Sequence, residues 1–164
     1  MKRILPVVLP VLIFSSCIFS PDKKPAGTAA QAKIELMDAD RAFSRLSETK
    51  GMKEAFLEYI DSNGVLLRPN EAPIIGADAV DYLIQQNDST YTLKWEPKDG
   101  AVAHSGELGY TYGIYALMPT SKDTIIYGTY VSIWKKEKSG RWKYVLDSGN
   151  EGIGDINARK EDQP

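Results

Sequence analysis

Arg68 is the charge that stands out first. It follows the apolar run Val65-Leu66-Leu67 and precedes Pro69, which fixes the backbone beyond it. A guanidinium held at a strand end can grip a carboxylate or phosphate through two parallel N–H bonds. The same placement serves an internal ion pair, and Asp40 or another acid is the expected partner. Asp40 shares one side of a helical run with Leu36, Phe43 and Ser47, where a carboxylate needs a partner. Asp147 closes an alternating run after Trp142, Tyr144 and Leu146, on the opposite parity. Either acid is a candidate for proton transfer, but no second activated group accompanies it, so a structural role is expected.

Aromatic side chains form the second set. Tyr110 and Tyr112 point to one face of their strand and Tyr115 to the other. Tyr130 and Trp134 share a face of the next strand, as Tyr91 and Trp95 do on theirs. Such a surface suits an apolar or ring-bearing ligand, with phenol and indole hydrogens to orient it. The expected pocket lining is Arg68, Tyr82, Trp95, Tyr110, Tyr112, Tyr130 and Trp134. Alternating aromatics are also ordinary strand packing, so each residue has that reading as well.

Other chemistries find no apparatus. His104 is the only histidine and precedes the Ser105-Gly106 turn without companion ligands, so no metal and no cofactor is expected. The sequence contains no GxSxG elbow, P-loop or dinucleotide fingerprint. It also has no basic stripe, which argues against nucleic acid as a partner.

The elements that must position these residues begin after an export-like leader. Lys2 and Arg3 precede ILPVVLPVLIF (4–14), a run of eleven residues ending in Ser15-Ser16-Cys17. A membrane-crossing helix needs roughly 20 apolar residues, so this is the plan of a signal peptide over 1–16. Cys17 is the only cysteine, and its setting resembles the lipobox of bacterial lipoproteins, with Phe14 where leucine is usual. That resemblance implies cleavage before Cys17, lipidation of its thiol and a membrane anchor. Ile18 after the cysteine implies sorting to the outer membrane of the cell envelope rather than the inner. Without the leader, 18 basic side chains face 22 acidic ones, a balance of −4. Residues 17–32 read as the lipidated cysteine and a flexible tether, and 150–164 as a polar tail.

Residues 33–149 remain, enough for one domain with one core. Leu36, Ala39, Phe43 and Leu46 recur at helical spacing before Gly51. A second helix is expected over 53–61 and a third over 77–86, with a turn at Ser62-Asn63-Gly64 and a short strand at 65–67 between them. The period then becomes alternating. Strands are expected over 91–95, ending before Pro97, and over 101–104 and 109–118. A hairpin of 125–136 with 141–147 turns at Lys138-Ser139-Gly140. Helices first and four or five antiparallel strands after make an α+β domain with helices over one face of a curved sheet.

Taken together, DADRAF (38–43), AFLEYIDSNGVLLRPNE (55–71), LKWEP (93–97), SGELGYTYGIY (105–115) and YVSIWKKEKSGRWKYVLDSGN (130–150) resemble the DUF4440 branch of the NTF2-like, or SnoaL-like, superfamily. The resemblance spans nearly the whole domain. It implies a cone-shaped α+β fold, a deep apolar pocket between helices and sheet, and homodimers packed through the sheet face. It implies little about chemistry, because the superfamily holds isomerases, cyclases, dehydratases and non-catalytic binders. Ketosteroid isomerase needs a carboxylate base and a protonated acid in its pocket. The matching positions here are Arg68, before Pro69, and Ser132. An arginine stays protonated and cannot take a proton from carbon. The sequence therefore points to a lipid-anchored envelope protein that binds a small apolar or amphipathic ligand, with no catalysis demonstrated by its residues. The alternatives are an enzyme using Asp40, Asp147 or a tyrosine, and an interaction module using the outer sheet face.

Overall fold

The computed structural model describes residues 29–153. α1 (Ala29–Lys50) buries Leu36, Asp40, Phe43, Ser44 and Ser47 along one stripe. It starts inside the stretch expected to be tether, because Ala29-Ala30-Gln31-Ala32 is strong helix-forming sequence and Ala32 is buried. Gly51, at φ 98°, breaks the helix, and α2 (Met52–Tyr59) follows at once. α2 runs directly into β1 (Ile60–Leu67). Ser62-Asn63-Gly64 is therefore not the expected turn. It forms an irregularity in β1, where the register against β6 shifts between Ile60 and Val65. The Asp61 carboxylate accepts the Asn63 N–H there at 2.9 Å.

β2 (Ile74–Ile75) and α3 (Ala77–Gln85) come next, then β3 (Tyr91–Val102), β4 (Leu108–Pro119), β5 (Ile126–Lys136) and β6 (Trp142–Glu151). The six strands form one sheet in the order β2-β1-β6-β5-β4-β3, antiparallel except for β1 beside β6. β3 runs through Pro97 with a register shift between Pro97 and Asp99. It can do so because β3 is an edge strand, where a missing N–H breaks no ladder. β6 continues past Asp147 to Glu151, into the stretch expected to be tail.

α1 lies against the inner face and shields the β3 edge. The Ser44 hydroxyl donates to the Trp95 carbonyl at 2.6 Å and accepts the Trp95 N–H at 2.8 Å; Ser47 donates to the Leu93 carbonyl at 2.7 Å. Two helix hydroxyls thus satisfy backbone groups that an open edge would leave to solvent or a stray strand. Phe43 is the hub of the core, 4.5 Å from Trp95 and 4.8 Å from Phe56 between ring centroids. Strand pairing sorts the inner face into rows. One row is Thr111–Ser132–Asp147–Leu66, the next Gly113–Tyr130–Gly149, and the next Trp95–Tyr115–Gly128–Glu151.

Candidate functional site

Those rows face a cavity of about 240 Å³ bounded by the inner sheet face, α2, α3 and the Arg68-Pro69 segment. Its walls are largely rings: Phe56 from α2, Tyr82 from α3, Tyr91 and Trp95 from β3, Tyr115 from β4 and Tyr130 from β5. Gly128, outside the lining, lies beneath the Tyr115 ring so closely that a Cβ there would fall 2.4 Å from the Tyr115 hydroxyl, so its lack of a side chain lets that ring lie down on the sheet. Gly149 lines the cavity itself, and a Cβ there would meet only ordinary contacts at 3.6 Å or more.

One cluster in the wall is polar. Arg68 Nη2 sits 2.9 Å from Asp147 Oδ1, and Ser132 Oγ donates to Asp147 Oδ2 at 2.9 Å. Arg68 Nη1 donates to the Leu67 carbonyl at 3.1 Å and the Asp147 carbonyl at 3.3 Å, while its Cζ lies 5.6 Å from the Phe56 ring centroid. Asp147 and Ser132 are buried and the Arg68 side chain is 20% exposed. The pair is therefore partly desolvated and closely matched, with each carboxylate oxygen holding a donor. Arg68 thus has the internal acid partner expected of it, and that partner is Asp147 rather than Asp40.

Asp40 has a different task. It is fully buried on α1, outside the cavity wall, and accepts the Trp95 indole N–H at 2.7 Å and the Tyr130 hydroxyl at 2.8 Å. Burial pushes its pKa up, while hydrogen bonds from Trp95, Thr111 and Tyr130 pull it back and the nearby Asp147 charge adds to the rise. The Tyr130 phenol is pushed far above its ordinary value by burial first and the Asp40 charge second. Burial also raises Tyr91 and Tyr115. These hydroxyls stay protonated, and Asp40 fixes two of the cavity's rings from behind.

Of the residues expected to line a pocket, Arg68, Tyr82, Trp95 and Tyr130 do so, joined by Ser132 and Asp147. Tyr110 and Tyr112 do not. They stand on the outer sheet face, 45% and 46% exposed, stacked with centroids 6.5 Å apart. Trp134 does not either: it is fully buried in the core, and its indole N–H donates to Thr111 Oγ1 at 2.8 Å. His104 is exposed in the β3–β4 turn. Cys17 lies outside the described residues. Among the described residues no three His, Cys, Asp or Glu side chains are grouped to hold a metal. Tyr91, Tyr115 and Gly149 line the cavity without having been in the expected lining. The signal for Tyr115 was parity: it shares its face with Gly109, Thr111 and Gly113, the small residues that leave space beside a ring.

No family model and no curated protein matches the chain. Solved structures do. An NTF2-like protein with a cystatin-like fold from Novosphingobium aromaticivorans superposes with a TM-score of 0.61 at 15% identity, covering 82% of this chain and 91% of its own. The fold is NTF2-like. A ketosteroid isomerase-like protein from Erwinia carotovora atroseptica matches the domain at TM-score 0.56 and 13% identity, over 72% of this chain and 94% of its own. An LEH-like epoxide hydrolase from M. tuberculosis matches at 0.53 and 11%, over 77% and 89%. At such identities the likeness is one of fold, and the site has to be argued from its own residues.

Proposed function

We propose that the chain is a lipid-anchored envelope protein of the DUF4440 kind whose NTF2-like domain holds a small apolar or amphipathic ligand in this cavity. The observation that carries the reading is a ring-walled cavity holding one matched polar cluster, Arg68–Asp147–Ser132. Apolar walls supply affinity and a few convergent polar groups supply orientation. Native mass spectrometry of the protein purified from its own host tests it. A co-purifying small molecule supports binding, and bare protein from several growth conditions argues against it.

The anchor rests on Cys17, with residues 18–28 between it and α1. Cys17→Ser should release the protein from membranes and alter its maturation; unchanged membrane association would remove this part of the proposal. No described helix is long and apolar enough to cross a membrane.

A second reading, an enzyme of the isomerase, cyclase or dehydratase type, has one observation in its favour: Asp147 places a carboxylate in the cavity wall. Its oxygens are engaged by Arg68 and Ser132, and by the family resemblance Arg68 stands at the position of an isomerase base, a role its cation cannot fill. Binding without catalysis is the better fit. The outer face, with Tyr110 and Tyr112 exposed, suits the homodimer that the family resemblance implies, or another protein partner.

A further inference from the structure

Taking the cavity as a ligand site, as proposed above, we infer that its ligand is uncharged, one or two fused rings in size, and carries a hydroxyl or carbonyl group that docks on Arg68–Asp147–Ser132. Size follows from volume. An apolar cavity of about 150 Å³ holds a benzene, so 240 Å³ has room within its walls for a second fused ring.

Charge follows from the ion pair. The charged side chains in the wall are Arg68, Asp147 and, at the end of β6, Glu151. Arg68 is already matched by Asp147 at 2.9 Å. An anion reaching for Arg68 would meet Asp147 and Glu151, or would have to pull Arg68 away and strand a carboxylate that is 8% exposed. A cation reaching for Asp147 would meet Arg68 in the same way. A neutral hydroxyl or carbonyl avoids both penalties. A guanidinium has more N–H donors, and a carboxylate more lone pairs, than the bonds made here use, so both can take a further neutral partner. The neutral tyrosine hydroxyls of the wall impose no charge of their own.

The tryptophans report on occupancy. Trp95 lines the cavity, while Trp134 and Trp142 do not. The purified full-length chain is titrated with 2-naphthol, 2-naphthoate and 2-naphthylmethylammonium, following indole N–H resonances by NMR. The expected result is a Trp95 shift with 2-naphthol, Trp142 unmoved, and affinity at least about tenfold above that of either ion. Gly149→Leu, which fills the cavity at a site where a Cβ meets only ordinary contacts, should weaken 2-naphthol by about tenfold or more. Gly149→Ala, a smaller change, serves if the leucine variant does not fold, and should weaken it by a lesser factor. An ion that moves Trp95 and binds as tightly as 2-naphthol overturns the charge inference and leaves the cavity reading standing. If no probe moves Trp95, the cavity reading fails and takes the inference with it. If 2-naphthol binds but the Gly149 variants leave its affinity unchanged, the ligand does not occupy this cavity, and the size argument is overturned.

Discussion

The two faces of β4 differ less in residue type than in what stands beside each ring. Outward, Tyr110 and Tyr112 pair across the strand boundary with Ile133 and Val131, and the two tyrosines stack on each other in solvent. Inward, Tyr115 lies over Gly128, while Tyr130 on β5 has Gly113 on one side and Gly149 on the other. Both faces carry rings, but only the inner one alternates rings with residues that have no side chain. A ring beside a large neighbour stands packed against it, whereas a ring over glycine can lie down on the strand, as Tyr115 does on Gly128, and the cavity roofed by α2 and α3 opens above Gly149. The inner face is further fixed from behind by Asp40, and the outer face has no counterpart to that clamp among the described residues.

The comparison breaks most readily at the clamp. Asp40→Leu removes the acceptor for two buried donors, Trp95 Nε1 and the Tyr130 hydroxyl, and should destabilise the fold by about 2–4 kcal/mol in denaturant unfolding. Gly128→Ala comes next. Its Cβ would fall 2.3 Å from the Asn150 carbonyl oxygen, a backbone atom, and 2.3 Å from Tyr115 Cζ, so a loss of about 1–3 kcal/mol is expected. Ser132→Ala leaves Asp147 with Arg68 alone and should lower stability by about 1 kcal/mol, with the larger effect on 2-naphthol affinity. The double variant Tyr110→Ser/Tyr112→Ser gives up cross-strand packing on Ile133 and Val131 and should lower the stability of the isolated chain by about 0.5–1 kcal/mol. If sedimentation shows the same oligomeric state for this variant and the wild type, the sheet-face dimer is lost as a proposal.

Asp40 also sets a pH signature. Because its folded pKa is raised, the folded state binds a proton that the unfolded state has released at the same pH. Its contribution is fully present below the ordinary carboxyl value of 3.8 and is lost as pH rises through the raised folded value. Within that window, wild type should lose stability relative to Asp40→Asn by up to about 1.4 kcal/mol per pH unit. A wild-type advantage that grows with pH across this window would contradict the assignment.

Much of this arrangement was legible in residue patterns, and the exceptions share a cause. α1 and the β5–β6 hairpin follow from local periodicity and turn residues. β2 is two residues long and has no period to detect. The course of β3 through Pro97 depends on its being an edge strand, which is a property of the whole sheet. At the site, Arg68 and Asp147 were each conspicuous, but their contact spans 79 residues of sequence, and the partner could not be chosen from local pattern. Tyr110 and Tyr112 were placed in the pocket because alternation separates two faces without saying which one the helices cover. That information sat with the small residues at the intervening positions, Gly109, Thr111 and Gly113, whose parity is that of Tyr115.

The most direct test of the central claim, that the inner face and not the outer one holds the ligand, is native mass spectrometry of three forms from the same host. Wild type and Tyr110→Ser/Tyr112→Ser should carry the same small-molecule adduct, and Gly149→Leu should lose it. An adduct retained by Gly149→Leu and lost from the outer-face variant would contradict the account.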